Sequence, residues 1–119
     1  MPFDGLPEGL VSDLVKLRIA LDGVRRRWSN TSIGAREIGG RPEAPHCTLG
    51  WLLVATDWDR DDAVRLAVDY VYPALPETAR KADSKMRAIS NYNDHGSRKR
   101  VVQLLTDAVQ LAERQACAD

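Results

Sequence analysis

An all-α, single-domain bundle of four to five helices is the fold class predicted for this 119-residue sequence, from three observations. Apolar residues recur at helical spacing near the start of the chain, they recur again near its end, and no pair of alternating runs offers strands a partner. Length agrees, because a chain of this size buries somewhat over about 60% of its unfolded surface, enough for one core and too little for two. Residues 1–119 are therefore read as one helical domain.

The first helix is written by Leu10, Leu14, Leu17, Leu21, Val24 and Trp28, spaced alternately by four and three, and is placed at about Pro7 to Trp28. Val11, Val15 and Ile19 widen the stripe, while Asp13, Lys16, Arg18 and Asp22 fall on the other side. Gly23 is an internal weak point. From Ser29 to Ala44 the period stops, broken by Gly34, Gly39, Gly40 and Pro42. That is a loop, with at most a turn of helix around Gly34 to Ile38. It exceeds the usual limit of about 12 to 15 residues, which makes it a candidate binding surface.

Cys47, Leu49, Trp51, Leu52, Leu53, Val54 and Ala55 form an apolar run with no polar face at its centre, either the central helix or a buried strand. The helix is favoured, since Pro45 suits a first-turn position and no strand partner exists. The acids Asp57, Asp59, Asp61 and Asp62 open a third helix, where the positive end of the macrodipole favours them. Val64, Ala67, Val68 and Val71 give that helix an inward face, and Pro73 and Pro76 bend or end it near Tyr72. Thr78 to Ile89 reads as a short, partly exposed helix anchored by Ala82, Met86 and Ile89. Asn91 to Gly96 reads as a turn, and Ser97 caps the last helix. In that helix Val101, Leu104, Leu105, Ala108, Leu111 and Ala112 face inward, with Arg98, Lys99, Gln103, Asp107 and Gln110 outward.

Composition narrows the function classes. The 17 Lys and Arg balance 17 Asp and Glu, so no net field draws nucleic acid or anionic lipid from a distance, and any such binding must use a local patch. The opening MPFDGLPEGL lacks the basic and apolar regions of a secretory signal, and no apolar run approaches the roughly 20 residues needed to span a bilayer. The expected location is the cytoplasm, with Cys47 and Cys117 as free thiols.

The order of signals resembles a family of small bacterial proteins, common in actinobacteria and their phages, for which no activity is assigned. The matching pieces are Trp28, Cys47-Thr48-Leu49-Gly50, Asn93-Asp94 and the helix with Val101, Val102, Leu104 and Leu105. Trp51 departs from the pattern, which has a small residue after the glycine, and the match is poor between Pro73 and Ile89. The resemblance implies a phage or mobile-element context, in which inhibition of a host system is one form of action.

Several constellations could carry chemistry. Cys47, placed in a first helical turn, would have its thiol pKa lowered by free amides and the dipole. His95 could then serve as base and Asn93 or Asp94 as orienting group, the logic of a cysteine hydrolase. The plainer reading makes Cys47 a small buried residue, Gly50 a point of close helix approach, and Asn93 with Asp94 a turn or cap. His46, Cys47, His95 and Cys117 are zinc-ligand types without close spacing, and the Asp57, Asp59, Asp61 series lacks the glycine and glutamate of a calcium loop, with Asp62 and Val68 in their places. No metal and no cofactor are expected. Ala35 to Gly39 has the spacing of a DNA-reading turn, but Pro42 and Pro45 break the recognition helix that would follow.

What remains is binding. Arg25 to Arg27 at a helix end is good electrostatics, whereas Arg98, Lys99 and Arg100 open a helix, where positive charge is unfavourable. Trp58 and Tyr92 are the aromatic contact candidates, while Trp28 and Trp51 fill the core. The leading expectation is a helical module that works through protein contact, using the Ser29 to Ala44 loop and the Asn91 to Gly96 turn. The others are a cysteine enzyme at Cys47 and a nucleic-acid binder at Arg98 to Arg100.

Overall fold

The computed structural model describes residues 8–29 and 46–117, whose architecture is helical. Its main elements are α1 (Glu8–Arg26), α2 (Thr48–Ala55), α3 (Arg60–Leu66), α4 (Lys85–Asp94) and α5 (Arg98–Cys117). No strand occurs among the described residues; Trp28 and His46 form an isolated parallel bridge. The expected loop from residue 30 onward, its turn at Gly34 to Ile38, Pro45 and the side chains of Leu10 and Val11 lie outside the described residues. No described helix is long and apolar enough to cross a membrane.

The two terminal stripes meet as their spacing requires. Leu14, Leu17, Ala20, Leu21 and Val24 of α1 are buried with Val101, Leu104, Leu105, Ala108, Val109 and Ala112 of α5. Each fully buried Leu or Val contributes about 1.5–3 kcal/mol. The stripe on α1 is rotated from the expected one. Val15 and Ile19 are 46% and 44% exposed, while Asp13, assigned to the wet side, is buried. The cause is a polar contact set into the buried face, because Asp13, one turn before Leu17, meets Arg65 of α3.

Helix α1 ends at Arg26, and Trp28 leaves it to enter the bridge. Gly23 is a notch for packing: a Cβ there would stand 2.2 Å from the ring of Trp51. The apolar run is the helix α2, with Trp51 and Leu52 buried and Leu53, Val54 and Ala55 only partly covered. It ends in a tight turn in which Asp57 and Trp58 take φ of 55° and 65°, the left-handed region that costs a non-glycine residue about 1–2 kcal/mol. The amide of Trp58 donates to the Leu53 carbonyl at 2.7 Å to close it. Asp59 then caps α3, accepting from the Asp62 amide at 3.1 Å.

After Leu66 the helix widens into a π-helical turn, Ala67–Val71, and returns to α geometry for Tyr72–Ala74. Pro73 explains the widening. It has no N–H to offer the carbonyl of Asp69, and its ring would crowd that carbonyl in a regular helix. The helix ends at Ala74, just past Tyr72, and its inward residues are Ala63, Leu66, Ala67, Tyr70 and Val71, with Val64 exposed.

The expected helix from Thr78 to Ile89 is two pieces, a 3-10 turn Glu77–Arg80 and then α4. Ser84 caps α4 by accepting from the Arg87 amide at 3.1 Å, and Ala82 is exposed. Asn91 to Asp94 are helical, against the expectation of a turn, which shrinks to His95–Ser97. Ser97 caps the next helix as expected, its Oγ accepting from the Arg100 amide at 3.3 Å.

Candidate functional site

Asn93 is the residue whose role was least foreseen. It is buried on the inner face of α4, and its Oδ1 accepts from Trp28 Nε1 at 2.9 Å, from the Thr48 amide at 3.0 Å and from Thr48 Oγ1 at 2.8 Å. It thereby ties the end of α1, the start of α2 and the last turn of α4. A buried amide with such partners is stabilising where an orphaned one would be costly.

Beside it lies a pocket of about 90 Å³, lined by Cys47, Thr48, Leu49, Ile89, Ser90, Asn93 and Asp94. Cys47 is the N-cap of α2, not a first-turn residue, and its Sγ accepts from the Gly50 amide at 3.4 Å. The sequence reading expected a lowered thiol pKa. Burial instead pushes it up, with the charge of Asp94 adding to the rise, and the Gly50 and Leu49 amides only partly offset this.

The remaining members of the cysteine constellation do not assemble. His95 is exposed and caps α4 through its backbone, whose amide donates to the Asn91 carbonyl at 3.0 Å. No hydrogen bond joins His95 to Cys47 or to Asn93 among the described residues. Asn93 serves Trp28 and Thr48, and Asp94 is exposed at the pocket rim. Among those residues no cluster of three His, Cys, Asp or Glu could hold a metal ion.

One network escaped the sequence entirely. Arg65 Nη1 and Nη2 donate to the two oxygens of Asp13 at 3.0 and 2.6 Å, Tyr70 donates to Asp13 Oδ2 at 2.8 Å, and Lys16 pairs with Asp62 at 2.6 Å. Burial would raise the Asp13 pKa, but the bonds from Arg65 and Tyr70 hold it below the usual value. Tyr70 itself is pushed up to about 12, by burial first and then by its bond to Asp13. The Asp62 and Arg65 pair on α3 was the available signal, yet nothing local pointed to Asp13 as its partner.

Charge is distributed unevenly over the surface. Lys16, Arg18, Arg26 and Arg65 each pair with a carboxylate. Between Arg80 and Arg100 stand seven Lys and Arg against Asp83 and Asp94; all seven cations are exposed, and none makes an ion pair among the described residues. Arg80 donates to the carbonyls of Leu75 and Pro73, and Lys85 lies over the ring of Tyr72 at 5.3 Å. Arg100 stacks on Tyr92, its guanidinium carbon 3.7 Å from the ring centroid.

The predicted binding residues therefore separate. Tyr92, Arg98, Lys99 and Arg100 share the corner between α4 and α5, with Tyr92 half-buried and the cations exposed. Trp58 is elsewhere, half-buried with its ring 6.2 Å from that of His46. Tyr70 is buried, as is Trp51, whose Nε1 donates to the Arg27 carbonyl at 2.9 Å. No protein-family model matches the chain, and no curated protein or solved structure matches it either.

Proposed function

We propose that this chain is a small helical module that acts by binding another protein, with the corner between α4 and α5 as its contact surface. The observation that carries the reading is the trio of exposed cations at that corner, Arg98, Lys99 and Arg100, which no carboxylate of the described residues neutralises. Arg98, Lys99 and Arg100 oppose the macrodipole of α5, a cost of about 0.3–1 kcal/mol each that a bound anionic surface would reverse. Arginine and tyrosine are also the side chains that most often dominate protein contacts. The resemblance expected to small proteins of actinobacteria and their phages accords with a module that engages a host protein.

Cysteine chemistry is the weaker reading, since the Cys47 thiol is 5% exposed, favours its protonated form and accepts from the Gly50 amide, with no hydrogen bond to His95 among the described residues. Affinity capture from the native host tests the choice. Partners held by the parent and by Cys47→Ala should be lost from the triple variant Arg98→Glu, Lys99→Glu, Arg100→Glu. Loss confined to Cys47→Ala would reject the binding reading.

A further inference from the structure

We infer that the partner presents an acidic polypeptide segment, and that Arg100, held on the ring of Tyr92, is the specificity-determining residue that reads its carboxylates. This rests on the corner between α4 and α5 being the contact surface.

Three positions cooperate to build the stack. Tyr92 supplies the ring from the last turn of α4, Arg100 lies over it at 3.7 Å from the first turn of α5, and Gly96 sits between them. A Cβ on Gly96 would stand 2.7 Å from the Tyr92 carbonyl oxygen and 3.1 Å from Arg100 Cδ. Glycine therefore lets the arginine stem cross the connector and fold back over the ring. A guanidinium pinned in this way has lost its rotamer freedom before any ligand arrives, and its planar fork matches a carboxylate through two parallel hydrogen bonds. Arg98 and Lys99 beside it are exposed and have no partner among the described residues. They add attraction at the end of a 20-residue helix whose dipole also favours an anion.

The same cations would attract a nucleic acid, and the observations favour the acidic protein segment. Arg98, Lys99 and Arg100 occupy one turn of helix, and the other four cations, Arg80, Lys81, Lys85 and Arg87, stand at or before the opposite end of α4, so the corner itself falls short of a track of about 6–10 phosphate contacts. Arg100 covers a face of Tyr92 on which a base would stack. The chain has zero net charge and carries five Asp against two Arg between Asp57 and Asp69, so a long polyanion would meet repulsion away from the corner.

Fluorescence anisotropy on the full chain at low salt tests this, with a labelled oligoglutamate peptide and a labelled oligodeoxythymidylate of equal charge as probes. Oligoglutamate should bind more tightly than oligodeoxythymidylate. Its affinity should fall about tenfold in the triple charge reversal and about fivefold in Arg100→Lys and Tyr92→Leu, while Tyr92→Phe, which keeps the ring, binds as the parent does. Arg100→Lys replaces an exposed head group, so its result cannot be put down to misfolding. Tighter binding of oligodeoxythymidylate, or unchanged oligoglutamate affinity in Arg100→Lys, overturns the inference. Retention of captured protein partners by the triple reversal would instead sink the contact-surface reading itself.

Discussion

Trp28 and Asn93, separated by 65 positions in sequence, are joined by a 2.9 Å hydrogen bond from the indole Nε1 to the amide Oδ1. The same oxygen serves both donors of Thr48, so one side chain fixes how three helices meet. Asn93→Ala strands those donors and should destabilise the fold by roughly 2–4 kcal/mol, since each buried orphan costs about 1–3. Urea unfolding followed by tryptophan fluorescence would measure the loss, and a change below about 1 kcal/mol would show that these bonds do not organise the junction.

Gly23→Ala sets two principles against each other. Helix propensity alone favours alanine by about 1 kcal/mol, but the new methyl would collide with the Trp51 ring. Overpacking should win, with a net loss of about 1–3 kcal/mol. In a Trp51→Ala background the ring is gone, and the same substitution should become neutral or stabilising. A denaturant double-mutant cycle reads the sign directly.

The cysteines should differ sharply in reactivity. Cys117 is exposed, while Cys47 is buried with its pKa raised by that burial. Iodoacetamide at neutral pH should modify Cys117 first, with Cys47 slower than the same thiol in a short peptide, as followed by peptide mass spectrometry. Faster labelling of Cys47 would reopen a chemical role.

The network around Asp13 predicts a stability profile with two limbs. Asp13 and Asp62 have pKa values below those of unfolded carboxylates, so their contribution is present above about pH 4 and is lost as pH falls through the folded values. For Tyr70 the folded value of about 12 exceeds the ordinary 10.0, so its contribution holds below pH 10 and fades between the two. Asp13→Asn should cost about 1–2 kcal/mol at neutral pH, discounted because Arg65 is partly exposed, and should shallow both limbs. Denaturation midpoints across pH would show an unchanged profile if Asp13 were merely decorative.

Legibility in the sequence followed the strength of the pattern. The stripes ending in Val24 and Ala112 are long and periodic, and Leu14, Leu17, Leu21, Leu104 and Leu105 are buried as the spacing required, with Leu111 partly covered. Helix α4 was misread at its end because Asn91, Asn93 and Asp94 favour turns locally, while the bonds that hold Asn93 come from residues far along the chain. Asp13 failed for the same reason, since its partners Arg65 and Tyr70 lie over fifty positions away. Spacing could find Ser97 as a cap but could not reveal that Arg100 would fold back past Gly96 onto Tyr92. At Cys47 the dipole argument was sound as far as it went, and burial outweighed it.

The Ser29 amide donates to the His46 carbonyl at 3.0 Å, and the His46 amide donates to the Arg27 carbonyl at 3.2 Å. These two bonds clasp the end of α1 to the start of α2. Breaking either backbone bond would therefore loosen the start of α2 from the end of α1.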